Sequence, residues 1–166
     1  NMLGNHDTYR ILTVFNEDIK LLEFAVLIQM VLPGVPLIYY GDEAGVLGER
    51  DPSNRKPYPW GRENQEIFNM YKRIILLRKD NEVLIKGSFS IQVIEESVVL
   101  IRRKYRDREV IIALNNAEEH KNIRIKKYKN IKVFDMISDK VLESSDNDEY
   151  LINILSKGYR VFELIN

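Results

Sequence analysis

Leu32-Pro33-Gly34-Val35-Pro36-Leu37-Ile38-Tyr39-Tyr40-Gly41-Asp42-Glu43 decides how this chain folds. Pro33-Gly34 stops any helix that precedes it, because proline brings no N–H to the ladder and glycine frees the backbone to turn. Pro36 to Gly41 is then continuously apolar rather than alternating, the pattern of a parallel strand covered on both faces. That stretch runs straight into two carboxylates, Asp42 and Glu43. About thirty residues earlier stands Leu3-Gly4-Asn5-His6-Asp7-Thr8, where a histidine and a carboxylate sit side by side in a polar turn. Asn1 to Gly4 reads as the end of another strand that closes on this turn.

Outward from these stretches, strand and helix alternate. Asp18 to Val31 carries Leu21, Leu22, Ala25, Val26 and Ile28, spaced closely enough for a helix buried around most of its circumference. Asn16 or Asp18 is placed to cap its start. Asp42 to Arg62 reads as a long irregular loop, a kind of segment that is uncommon in compact domains and often functional. Glu63 to Asp80 returns to helical spacing through Ile67, Met70, Tyr71, Ile74, Ile75 and Leu77. Arg78 and Lys79 suit the negative end of that helix's dipole.

Past Glu82 the texture changes. Seven short runs rich in Ile, Val, Tyr and Phe read as strands: Ser88 to Ile94, Val98 to Tyr105, Glu109 to Leu114, Asn122 to Ile125, Ile131 to Met136, Tyr150 to Ile154 and Tyr159 to Ile165. Polar turn clusters separate them, among them Arg106-Asp107-Arg108 and Ser144-Ser145-Asp146-Asn147-Asp148. Strands at this spacing predict an antiparallel sandwich, with a boundary near residues 81 to 84.

Composition removes several function classes. Lys plus Arg is 25 and Asp plus Glu is 25, so no excess of basic charge exists to draw nucleic acid or an anionic membrane. Lys126-Lys127 with Lys129 and Lys132 makes a local basic patch that reads as a solvated strand face. The absence of cysteine excludes disulfides and thiolate metal sites, and it suits a reducing, cytoplasmic setting. His6 and His120 are too few and too far apart for a zinc spacing. The longest apolar run, Phe24 to Tyr40, is interrupted by Gln29, Pro33, Gly34 and Pro36 and falls short of the ~20 residues of a membrane span.

Asn5-His6-Asp7 after a strand, Pro33-Gly34 through Gly41-Asp42-Glu43, and Gly48-Glu49-Arg50-Asp51-Pro52-Ser53-Asn54-Arg55-Lys56-Pro57 through Trp60 occur in this order. In that combination the chain resembles the C-terminal part of the alpha-amylase superfamily of glycoside hydrolases, nearest to its neopullulanase, cyclomaltodextrinase and maltogenic amylase subgroup. Tyr71 to Lys79 and Gly87-Ser88-Phe89 are similar to its last barrel helix and the entry to its C-terminal sandwich. The resemblance covers residues 1 to about 115 in detail and the remainder only in pattern. It implies an α/β plus all-β fold: the last part of a TIM (β/α)8 barrel, with two parallel strands and two helices, over residues 1–82, then an antiparallel β-sandwich over 83–166.

The resemblance also implies roles. Asp7 matches the family carboxylate that stabilises the developing positive charge on the sugar ring, and His6 matches the histidine that hydrogen-bonds hydroxyls at the cleavage point. Asp51 and Arg55 match a loop pair that grips a glucose unit further along, while Asp42 and Glu43 are expected to hold structure. The chemistry suits these types. Cleavage passes through an oxocarbenium-like cation, and hydroxyl groups are matched by carboxylate acceptors and guanidinium donors. Each residue alone has an ordinary reading: His6-Asp7 as a turn, Asp51-Pro52 as a turn, Arg55 as a surface cation. Trp60 reads equally as a partly buried core residue or as a surface for a sugar face, and Tyr39 and Tyr40 as core and rim packing.

The implied substrate is an alpha-glucan oligosaccharide, with no cofactor, no metal, no nucleic acid and no membrane. The family nucleophile and acid/base carboxylates belong to strands four and five, whereas this chain opens near the seventh. The 166 residues alone are therefore expected to be inactive, and the uncovered apolar faces of the first 80 residues to drive self-association. The competing class is a non-catalytic carbohydrate-binding or structural module. Within the enzyme class, an alpha-1,6-glucosidase or a trehalose-forming isomerase shares the same barrel.

Overall fold

Residues 1–126, 132–144 and 149–165 are described in a computed structural model, in which the chain divides into two units, Asn1–Asn81 and Glu82–Asn166. The first unit holds three helices: α1 (Ile11–Val14), α2 (Ile19–Val31) and α3 (Gln65–Lys79). Asp18, not Asn16, caps α2. Its carboxylate accepts from the N–H groups of Lys20 (2.8 Å) and Leu21 (3.1 Å), so orphan donors of the first turn are satisfied. Asn64 does the same for α3, accepting from Glu66 and Ile67. Leu22, Val26, Leu27, Met30 and Val31 of α2 and Ile67, Met70, Tyr71 and Ile74 of α3 are buried where the two helices pack. Arg78 leaves its own helix end and donates to the carbonyls of Met30 and Leu32, orphan acceptors at the end of α2, and to that of Gly34 in the turn beyond. Four-residue α1 is too short to show a period, and its place in the sequence carries no helical signal.

The two expected parallel strands are reduced to one parallel bridge, between Met2 and Leu37. Leu37 donates its N–H to Asn1 O (2.7 Å), and the Gln29 amide from α2 donates to both Leu37 O (2.7 Å) and Asn1 O (3.2 Å). The physical reason is local: Pro36 has no N–H, and among the described residues neither segment has a strand on its other side. Burial on both faces is likewise not realised. Leu37 is 50% exposed and Val35, just before it, 83%. The loop from Asp42 onward is less irregular than expected, for 3₁₀ turns occupy Asp42–Ala44 and Ser53–Arg55.

In the second unit a short helix, α4 (Glu82–Lys86), precedes eight strands: β1 (Ser88–Glu95), β2 (Val98–Tyr105), β3 (Arg108–Asn115), β4 (Lys121–Lys126), β5 (Lys132–Asp135), β6 (Lys140–Leu142), β7 (Glu149–Ile154) and β8 (Gly158–Ile165). They form an antiparallel six-stranded sheet, β1-β2-β3-β8-β5-β6, and a two-stranded sheet, β4-β7. Val98, Leu100, Ile111, Ala113, Val133 and Phe162 of the large sheet pack with Ile123, Ile125, Tyr150, Ile152 and Ile154 of the small one. Alternation along β4 and β7 sets this face, since only every second side chain of each is buried. Three-residue β6 was not expected. It offers no period, and Val141 at its centre is exposed. Lys127, Lys129, Ile131 and the turn residues Ser145 to Asp148 lie outside the described residues. Among the described residues no helix is long and apolar enough to cross a membrane.

One side chain clasps the two sheets. Asn115, fully buried at the end of β3, donates through Nδ2 to the carbonyls of Glu119 (2.8 Å) and Leu155 (2.9 Å), and its Oδ1 accepts from Ala117 N–H (3.0 Å). Asn115→Ala leaves partly buried carbonyls without a donor and is expected to destabilise this unit by about 1–3 kcal/mol, read as a lower urea midpoint at unchanged slope. A loss below about 0.5 kcal/mol would show that the clasp contributes nothing.

Candidate functional site

Residues 5–8 close on themselves. Asn5 N–H donates to Thr8 Oγ1 (2.9 Å), Thr8 N–H donates to Asn5 O (3.2 Å), and Asp7 N–H donates to Asn5 Oδ1 (2.8 Å). Short polar side chains that bond their own backbone make such turns self-sufficient. The two central side chains are thereby left in water: His6 is 61% and Asp7 71% exposed, with Nε2 of one 3.2 Å from Oδ2 of the other.

The loop carrying Asp51 and Arg55 reaches the same place through a close approach at Gly48. A Cβ there would lie 2.3 Å from Ser53 O and 2.7 Å from Asn54 Cα, so only glycine fits. Gly48 is held on both sides, accepting from Arg10 N–H (2.8 Å) and donating to Thr13 Oγ1 (2.9 Å). Asn54, buried beneath the turn, donates through Nδ2 to His6 O (2.8 Å) and Thr8 O (3.0 Å). Arg55 then extends between the carboxylates, with Nε 3.2 Å from Asp51 and Nη2 3.8 Å from Asp7. The structure thus brings His6, Asp7, Asp51 and Arg55 into one exposed cluster.

Underneath lies an ion pair that sequence reasoning did not identify. Arg10, 1% exposed, has Nη1 3.1 Å from Asp42 Oδ1 and donates from the same nitrogen to Tyr40 O. Its guanidinium carbon lies 4.1 Å from the Tyr39 ring centroid and 4.8 Å from that of Tyr40. The two tyrosines, expected as plain core and rim packing, meet each other edge to face and cradle a buried cation. Burial pushes the Asp42 carboxyl up to about 6, against the opposing pull of Arg10. Glu43 accepts from Gly41 N–H (2.8 Å). Burial, reinforced by the nearby Asp42 and Glu43 charges, raises the Tyr71 phenol well above its ordinary range.

Asn54 is the second residue missed. An asparagine inside a polar loop has no distinguishing signal, and its partners are 46 and 48 residues away. Trp60 is not a core residue: it is 81% exposed, with its ring tilted at 49° against Tyr58, centroids 4.5 Å apart. An open pocket of about 420 Å³ behind the loop, lined by Thr13, Glu17, Glu49, Ser53 and Lys56, contains none of the four clustered residues. Among the described residues no three His, Asp or Glu side chains converge as a metal site requires. The cluster offers two carboxylate acceptors, an imidazole and a guanidinium to a polyhydroxyl ligand.

Residues 1–66 match the family model described as alpha amylase, catalytic domain. The chain is 36% identical over 153 residues to a cyclomaltodextrinase of Thermoanaerobacter pseudethanolicus, covering 91% of this chain and 26% of that protein. An amylopullulanase of Thermoanaerobacterium thermosulfurigenes is 34% identical, over 93% of this chain and 10% of its own length. The solved maltogenic amylase from S. marinus superposes with a TM-score of 0.83 at 29% identity, over 98% of this chain and 22% of that one. The chain therefore spans about a quarter or less of the length of these relatives. The barrel end and sandwich of its fold are those of the C-terminal part of such enzymes.

Replacing Arg10 tests the buried pair. In Arg10→Met, Asp42 loses the cation that lowers its pKa, so its folded-state value rises above about 6 while the unfolded value stays near 3.8. A raised folded pKa gives stability that is present at low pH and lost as pH rises. The variant is expected to lose about 3–5 kcal/mol at pH 8 and distinctly less at pH 5, in urea melts of the first unit. An equal loss at both pH values would show that the pair's charge is not what matters.

Proposed function

Because the chain belongs to the alpha-amylase family, we propose that it is the C-terminal part of a retaining glycoside hydrolase that cleaves alpha-glucosidic bonds in maltooligosaccharides, cyclodextrins, pullulan or starch. The observation that carries this reading is the convergence of His6, Asp7, Asp51 and Arg55, from two loops more than forty residues apart, on one exposed surface. Asp7 holds negative charge beside the sugar ring and favours the oxocarbenium-like transition state. His6 hydrogen-bonds hydroxyls of the same ring. Asp51 and Arg55 grip a neighbouring glucose through charge-assisted bonds.

A retaining glycosidase needs a nucleophile and an acid/base carboxylate about 5 Å apart, and family likeness assigns those roles to neither Asp7 nor Asp51. These 166 residues by themselves bind glucan without cleaving it. Met2, Val35 and Leu37, exposed around the parallel bridge, drive association between copies.

Titration with maltoheptaose, followed by calorimetry or amide NMR, is expected to show saturable binding that weakens on the order of tenfold in Arg55→Ala, the value of one charge-assisted contact. Release of reducing sugar should not exceed that of a His6→Ala/Asp7→Ala double variant. Binding untouched by Arg55→Ala, or turnover above the double variant, would overturn the assignment. Light scattering should show less association in Leu37→Lys; an unchanged particle mass would remove the bridge region from the contact.

A further inference from the structure

We propose that Tyr58 and Trp60 form a second glucan-contacting site, a stacking platform separate from the His6–Asp7–Asp51–Arg55 cluster; the proposal rests on the glucan-binding reading above. The segment Pro57-Tyr58-Pro59-Trp60 alternates proline with aromatic residues, and each proline fixes one φ angle. The turn is further held by Trp60 N–H to Tyr58 O (3.0 Å), Arg62 N–H to Pro59 O (2.8 Å) and Gly61 N–H to Glu63 Oε1 (3.1 Å). So stiff a turn loses little freedom when a ligand arrives.

Trp60 nevertheless stands 81% in water, against a Tyr58 that is only partly exposed. An indole is the largest apolar group a chain possesses, and leaving it outside a core forgoes substantial burial. A pyranose matches what is offered. Its C–H face stacks on a ring, while its hydroxyl rim meets the indole N–H, the phenol and nearby carboxylates. Glu43 and Glu63 lie close enough to Tyr58 that their charges, after its partial desolvation, raise its pKa. The tilt of 49° between the rings suits a curved chain, in which successive sugars present faces that are not coplanar. Trp60 follows Arg55 by five residues, an extended reach of at most about 18 Å, within the span of one oligosaccharide.

The chain has a single tryptophan, so its emission reports this site alone. Maltoheptaose added to the 166-residue chain is expected to shift Trp60 emission to the blue, saturably. Binding measured by calorimetry should weaken on the order of tenfold in Trp60→Ala, with Trp60→Phe retaining most of it, at unchanged far-ultraviolet circular dichroism. Calorimetric binding without any emission change would overturn the platform and leave the cluster standing. Absence of binding by both methods would overturn the glucan reading itself, and the platform with it. An emission shift that follows protein concentration rather than maltoheptaose would assign the indole to a contact between copies and overturn the proposal.

Discussion

The first unit depends on one buried ion pair. Arg10 stands two residues past the Asn5–Thr8 turn, and Asp42 follows the apolar stretch directly, so their contact joins the ends of both motifs. Burying two charges is costly in itself, and the raised Asp42 pKa shows that Arg10 offsets only part of the cost. The Tyr40 carbonyl and the faces of Tyr39 and Tyr40 offset more of it, while Nε and Nη2 of Arg10 stay buried without a hydrogen-bond partner. A hydrophobic pair would pack as tightly, but it would not fix the register of one segment on the other. The guanidinium does, because it reaches one carbonyl and one carboxylate from the same nitrogen. Gly41 is bound to this arrangement as well: its φ is 90°, and a Cβ would lie 2.9 Å from Val46 and 3.6 Å from Arg10.

What the sequence discloses follows the range of the forces involved. The helices α2 and α3 are legible because their apolar spacing is local, as is the cap Asp18 one residue before α2; Asn64, which caps α3, is seen only in the structure. Seven strands are legible from composition and turns, and β4 and β7 from alternation as well. The apolar stretch Pro36 to Gly41 misleads, because continuous apolarity states what would bury the segment and not whether neighbours are present to do so. Its side chains stay half in water, and its backbone is tied to Met2 by one parallel bridge and to α2 by Gln29. The Arg10–Asp42 and Asn54–His6 contacts are illegible for a different reason: single polar pairs more than thirty residues apart leave no period.

The second unit has a contrasting economy of burial. The faces of β3 are buried from Val110 to Asn115, whereas all eight residues of β1 are exposed. Hydrophobic composition does not separate these strands, since Phe89, Ile91 and Val93 are as apolar as Val110 and Ile112. Position in the sheet does: β3 lies between β2 and β8, and β1 is an edge with β2 on one side alone. Glu95-Glu96 at its end and the register shift between Val93 and Glu95 are features that discourage a further strand from pairing there.

The cluster of His6, Asp7, Asp51 and Arg55 is rigid in its backbone and loose in its side chains, and this division suits a binding role. Asn54, Gly48 and the Asn5–Thr8 turn fix where the four residues start. The ion pairs above that frame are exposed at 47% to 71% of side-chain surface, and such pairs contribute little in water. A sugar hydroxyl that displaces Arg55 from Asp7 or Asp51 therefore loses almost nothing and gains charge-assisted hydrogen bonds. Buried pairs behave oppositely. Breaking Arg10 from Asp42 would leave two stranded charges, so that pair holds the fold and cannot serve a ligand. Depth alone thus sorts five charged residues of similar chemistry into those that carry the fold and those free to exchange partners.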